Sequence, residues 1–270
     1  MKNTSIDAMS YQGNKANFRI ILFAFVYLLL AAYNDICKSE TVNVEHAVLI
    51  FSGHVKDPAS KIDHMGAKSY SGIFEYQFND AIVRYFKSDF YQVLGIYYEV
   101  IQASGNMGLQ ERVNYANRII PDLYIEIHHD AAQAEDIEKA RRAGENSPLW
   151  NQMSGFSVHY SESNRFPELS KTFAQLFADE MLSDGFKPNL YHVNVEEMIC
   201  IDRKRGIYNR ISPWGLFVLY NVRSPAVIIE CGTIVNPHEE KVLSLEETRI
   251  KIVHAINRAF MRFFNIEIEE

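Results

Sequence analysis

Two histidines and two glutamates in this 270-residue chain stand at or just beyond the ends of short apolar runs. His54 follows VLIFSG, Glu75 comes shortly after Gly72, His128 follows DLYIEI and Glu230 follows PAVII. Taken singly, a histidine or glutamate at a strand end is most often a hydrogen-bonded polar residue and nothing more. Taken together they have a shared chemistry. Two imidazoles and a carboxylate are a catalytic zinc donor set, which leaves a fourth position for a water whose pKa the metal lowers to about 7. A second carboxylate beside that set can serve as general base. The residues alone leave open which glutamate ligates and which accepts the proton.

For those side chains to meet, the chain must bring strand ends together along one edge. Short runs rich in branched and aromatic residues at 47–51, 93–101, 123–127, 156–160, 216–220 and 226–229 have strand length. Between them, 75–86, 109–119, 167–182 and 248–264 carry apolar residues at three and four spacing, so each is expected to lay one helical face on a sheet. The alternation predicts an α/β fold with a mostly parallel sheet of about six strands flanked by helices, in a single catalytic domain. In such a fold, polar residues at strand ends reach the crevice outside the carboxyl edge. Two connections, 132–154 and 187–213, are long enough to read as insertions above the sheet. The first carries the helix-prone AEDIEKARRAGE and then Trp150; the second mixes Tyr191, His192 and the basic run Arg203, Lys204 and Arg205.

Composition narrows the partners. Lys and Arg number 27 against 34 for Asp and Glu, and a net charge of -7 argues against nucleic acid. Lys2, Lys15 and Arg19 precede the apolar run 20–30, which Ala31, Ala32 and Tyr33 extend. About 14 apolar residues suit a secretory leader better than a span of roughly 20. The reading is therefore 1–40 as signal peptide or N-terminal anchor, and an exported chain, periplasmic or extracellular, with 20–33 as the anchor if the leader is retained. Cys37 lacks the small neighbours that lipoprotein processing prefers and is read as an ordinary cysteine. Cys37, Cys200 and Cys231 match no zinc-binding spacing, so a metal must use other ligands.

Four segments in order resemble the zinc-dependent N-acetylmuramoyl-L-alanine amidase family: VLIFSGHVKDPAS, GIFEYQFN, LQERVNYANRIIPDLYIEIHHDA and PAVIIECGTIVNPHEEKVL. The resemblance runs over 48–264. It implies one zinc ion held by His54, Glu75 and His128, with Glu230 as the catalytic glutamate, and it makes 41–270 the amidase domain. It also implies peptidoglycan or muropeptides as substrate, cut between the muramic acid lactyl group and L-alanine. Two departures stand out: Phe51 and Ser52 replace the family's Asp-Pro pair before the first Gly-His, and the stretch from His54 to Glu75 is longer than usual and contains His64.

Neighbouring candidates rank lower. His64 is read as a surface residue, and His129 should point away from His128 because strand side chains alternate. His159 is read as structural, Arg112 as bracing its helix with Glu111, and Cys231 as a small apolar residue at the sheet end. The alternatives to the amidase are a zinc peptidase of related fold, which would need an arginine clamp from Arg203, Arg205 or Arg210, and a non-catalytic wall-binding regulator without metal. A protein activator acting on 132–154 is a further expectation, since that segment follows the His128 strand and has the length of a lid.

Overall fold

The computed structural model describes residues 46–56, 65–87, 96–104, 107–195, 198–210 and 216–266. The expected leader or anchor, Cys37 and His64 lie outside them. Among the described residues no helix is long and apolar enough to cross a membrane.

The centre is a 7-stranded sheet in the order β2-β1-β3-β7-β4-β6-β5. Its strands are β1 (His46–Lys56), β2 (Ile96–Ser104), β3 (Leu123–Asp130), β4 (Ser157–Tyr160), β5 (Met198–Asp202), β6 (Ile207–Arg210) and β7 (Ala226–Thr233). Strands β2, β1, β3 and β7 run parallel. The direction reverses between β7 and β4 and again between β6 and β5, both antiparallel, while β4 and β6 are parallel. This is the mostly parallel α/β fold expected, with one strand more than predicted.

Burial on both faces explains the unbroken apolar runs of β1, β3 and β7. On one face Ile50, Ile125, Ile127, Val227 and Ile229 pack in the larger core with α1 (Glu75–Val83), α4 (Pro167–Ser183) and α7 (Glu246–Phe264), which supply Phe78, Phe173, Phe177 and Phe260. On the other, Leu49, Phe51, Tyr124 and Ile228 meet Val113 and Ala116 of α2 (Leu109–Ile119) and Val218 and Leu219 of α5 (Phe217–Asn221). The strands are tied in register at their entry as well, where the Asp122 carboxylate accepts the Ala47 N–H at 2.7 Å.

Two sequence expectations change. The run 216–220, read as a strand, forms α5 instead. Short apolar runs are ambiguous between strand and helix, and here the buried Val218, Leu219 and Val222 pack as a helical face onto the smaller core. The 187–213 connection, read as an insertion above the sheet, supplies β5 and β6, which extend the sheet itself. Their turn is closed by Asp202, whose carboxylate accepts the Lys204 and Arg205 N–H groups at 2.9 and 3.2 Å, and by Gly206 at a φ of 64°.

The 132–154 segment folds as α3 (Ala134–Arg142) and a 3-10 turn, Pro148–Gln152, around the fully buried Trp150. The indole N–H donates to the Gly144 carbonyl at 3.1 Å, and Tyr70 meets the ring edge-on at 5.7 Å. Asn236 clamps the turn from outside, donating to the Trp150 and Met153 carbonyls at 2.8 and 3.0 Å. The same Asn236 caps α6 (Pro237–Leu243), accepting the His238 N–H at 2.9 Å. The segment is thus pinned to the elements that leave β7.

Candidate metal centre and active site

The site begins with a distortion of β1. The strand runs beyond the apolar stretch 47–51 to Lys56, with a register shift after Ser52. His54 sits at a φ of 62°, in the left-handed region that costs a non-glycine residue about 1 kcal/mol or more. The buried Arg112 holds the distorted turn, its Nη2 donating to the His54 carbonyl at 3.0 Å. The bulge turns the imidazole towards the start of α1, where His54 Nε2 lies 3.0 Å from Glu75 Oε2.

Glu75 is the first residue of α1, so its carboxylate also meets the favourable end of the helix dipole. Its Oε1 lies 3.0 Å from His128 Nδ1 and accepts the His129 N–H at 3.2 Å, while Oε2 accepts the Ala67 N–H at 3.1 Å. Burial acts to raise this carboxyl, but the hydrogen bonds and charges of His128 and His54 hold it well below the ordinary carboxylate range. One donor atom from each of His54, Glu75 and His128 lies within 4.8 Å of the others.

Space around this trio is closed by glycines. A Cβ on Gly53 would stand 2.4 Å from His128 Nε2, and one on Gly66, at a φ of 74°, would stand 2.5 Å from Glu75 Oε2 and 2.6 Å from His54 Cδ2. Asn79, four residues beyond Glu75 on the same helix face, donates to the Gly53 carbonyl at 2.9 Å. His129 points to the opposite sheet face, as alternation required, with Nδ1 2.7 Å from Asn79 Oδ1.

His128 meets a second carboxylate that the sequence reading did not single out. Its Nε2 lies 3.2 Å from Oε2 of Glu126, two residues earlier on the same face of β3. Burial would push the imidazole pKa down, but Glu126 and Glu75 raise it to about 10. Glu126 is opposed by the same burial and is held at about 2 by Arg112, His128 and Tyr124. Arg112 therefore does not brace its helix with Glu111: its Nη1 pairs with Glu126 at 3.2 Å. Glu126 was legible as an acidic residue inside an otherwise buried strand, which is costly unless it is paired.

Glu230 lies on β7 directly opposite His128 in the β3–β7 register. Burial raises its carboxyl well above the ordinary range, and the nearby Asp130 adds to that. Among the described residues its buried Oε2 has no hydrogen-bond partner. Ser157 faces Glu230 across the β4–β7 pair, and His159 bonds to Ser157 Oγ at 3.0 Å and stacks on Tyr208 at 5.3 Å, a packed position within the sheet. Cys231 is buried in the larger core. Of the three candidate arginines a peptidase would need, Arg205 is engaged with Asp179 at 2.7 Å and Asp202 at 2.9 Å, Arg203 is exposed, and Arg210 ends β6, half-buried, where its charge acts on Glu230.

Two imidazoles and a carboxylate that could hold a metal ion, with Glu230 and its unpartnered Oε2 on the adjoining strand, make a hydrolase-type site on the carboxyl edge of an α/β sheet. The donors fit a zinc ion: they are the borderline nitrogens and carboxylate oxygen zinc prefers, and they lie within 4.8 Å of one another. Comparison with known proteins makes the class specific. The N-acetylmuramoyl-L-alanine amidase profile matches residues 48–262, and the chain belongs to that family.

Solved structures share the fold. The N-acetylmuramyl-L-alanine amidase from Mycobacterium smegmatis superposes with a TM-score of 0.62 at 22% identity, covering 83% of this chain and 98% of that one. The amidase from Clostridium difficile 630 gives 0.57 at 20% identity, with 82% and 98% covered. The CwlD amidase from Clostridioides difficile, solved in complex with the GerS lipoprotein, gives 0.58 at 16% identity, with 82% and 99% covered. Among curated proteins, none matched the sequence.

Proposed function

We propose that the chain hydrolyses the amide between the muramic acid lactyl group and L-alanine in peptidoglycan, with one zinc ion held by His54, Glu75 and His128 and with Glu230 as general base and acid. The observation that carries this is the meeting of three donors within 4.8 Å beside a buried carboxylate with a free oxygen. Family membership supplies the substrate bond.

When bound, zinc supplies a Lewis acid and brings the pKa of a water to about 7. The protein's own residues do the rest. Glu75 Oε1 and Oε2 bridge towards the two imidazoles, His128 through Nδ1 and His54 through Nε2, so the three donors are set before a metal arrives. The Glu230 carboxylate takes a proton from the attacking water and delivers it to the departing L-alanine nitrogen. The burial that raises its carboxyl suits a group that must both accept and return that proton.

The test is a digest of intact wall material with analysis for free muramic acid and L-alanine ends. Glu230→Gln should keep zinc and lose about 10² to 10⁴ in turnover, the usual contribution of a positioned proton shuttle. His128→Ala should lose the metal itself. Undiminished hydrolysis by purified Glu230→Gln refutes the role given to Glu230, and release of products only from free peptides points to a peptidase.

A further inference from the structure

Glu126 belongs neither to the metal donors nor to the proton shuttle, yet it is buried against both histidines' supports. Its Oε1 accepts the Tyr124 hydroxyl at 2.6 Å and Arg112 Nη1 at 3.2 Å, and its Oε2 faces His128 Nε2 at 3.2 Å. Nη2 of Arg112 holds the carbonyl of His54 in its left-handed turn. A single buried arginine–glutamate pair thus touches the ring of one proposed ligand and the backbone of the other.

A neutral imidazole has one N–H and one lone pair. Each nitrogen of His128 faces a carboxylate, Glu75 at Nδ1 and Glu126 at Nε2, both from within hydrogen-bond reach. Glu75 meets His128 Nδ1 through Oε1 and His54 Nε2 through Oε2, so the His128 lone pair is offered at Nδ1 if the three donors are to hold one ion. The proton then stands on Nε2, and Glu126 is the only acceptor among the described residues that meets it.

Resting on the zinc reading above, we propose that Glu126 is a positioning residue: with Arg112 and Tyr124 it fixes His128 in the Nε2–H tautomer, leaving Nδ1 as the metal donor. A ligating histidine whose second nitrogen donates to a carboxylate is better oriented and more basic, and loss of such a partner commonly weakens metal affinity 10- to 100-fold. Arg112 carries the arrangement over to His54, so both histidines depend on one buried pair.

The decisive experiment uses the full chain and zinc alone. Imidazole ¹⁵N spectra of zinc-loaded protein should show His128 bound through Nδ1 and protonated at Nε2. Binding through Nε2 overturns the proposal while leaving the zinc reading intact, and failure of the wild-type protein to bind zinc overturns both. Chelator competition on Glu126→Gln and Glu126→Ala, each checked by thermal unfolding of the metal-free protein, supplies the second measurement. Affinity should fall 10- to 100-fold in Glu126→Ala and less in Glu126→Gln, which keeps one acceptor oxygen. Wild-type affinity in a folded Glu126→Ala protein refutes the role, whatever its activity.

Discussion

Replacing Gly53 by alanine adds one methyl group against the ring of His128. Built on the present backbone, that Cβ lies 2.4 Å from Nε2, 2.5 Å from Cε1 and 2.6 Å from Cδ2, so the whole face of the imidazole is struck. Relief to ordinary van der Waals contact needs a displacement of about 1 Å, and neither side yields easily. The ring is held by Glu75 at 3.0 Å and Glu126 at 3.2 Å, and the Gly53 carbonyl is held by Asn79 at 2.9 Å. Forcing it through costs about 2 kcal/mol, within the range for overpacking a filled interior.

The consequence for function is larger than that for the fold. A shift of about 1 Å carries one ring nitrogen beyond hydrogen-bond reach of its carboxylate and spoils the convergence of donors, which is worth about 10²-fold where geometry matters. We expect Gly53→Ala to be folded, with thermal unfolding lowered by a few degrees and zinc affinity down at least 10-fold by chelator competition. Wild-type zinc affinity together with wild-type unfolding would show that His128 is not confined as described.

Other perturbations read out different parts of the molecule. Trp150→Ala removes a fully buried indole from a small cluster separate from the two main cores. The cost, about 3 to 5 kcal/mol, should appear as local opening of 132–154, seen as protease cleavage there while the sheet survives; global unfolding without that step would refute it. Stability of chelator-treated protein should depend on pH through opposed groups. Burial lowers His129 to about 3, so its contribution is present above about 6.5 and lost as pH falls towards 3. Burial raises Glu239 to about 7, so its contribution is present below about 4.5 and lost as pH rises through 7. Between pH 6.5 and 4.5 these slopes, each about 1.4 kcal/mol per pH unit, offset one another, and the lowered His159 on the side of His129 is met by the raised Glu230 on the side of Glu239. Below 4.5 only losses remain, because the depressed Glu126 acts with the same sign as His129. Urea unfolding should therefore be nearly flat over that window and fall steeply beneath it; a steady decline from pH 7 downward would contradict the assignment.

The positions of His54, Glu75, His128 and Glu230 were legible because each lies at a change of period, where an apolar run gives way to a turn or a helix start. Polar residues at such points have few places to go in an α/β fold except the carboxyl edge. What could not be read was their support. Arg112 and Glu126 are far apart in pattern, one on a helix and one in a strand, and only the packing of α2 across β3 reveals that they pair. Gly66 follows a long stretch after His54 with no periodic signal, so its approach to Glu75 is a tertiary fact. The helix at Phe217–Asn221 and the β5–β6 pair failed for a local reason: runs of four or five residues do not fix a period.

The reversal of strand direction between β7 and β4 gives Glu230 an unusual address. On its β3 side every strand runs in the same direction, with His128 near the end of β3 and His54 in the bulge of β1. On its β4 side the chain descends, so the residues nearest the edge come from segments entering the sheet, such as Gly155, whose N–H is tied to Glu239 at 2.6 Å. Glu230 stands on the boundary between a fixed anvil and a flank formed by incoming loops. Sequence changes in those incoming segments can therefore alter the surroundings of Glu230 while leaving His54, Glu75 and His128, which lie on the parallel side, in place.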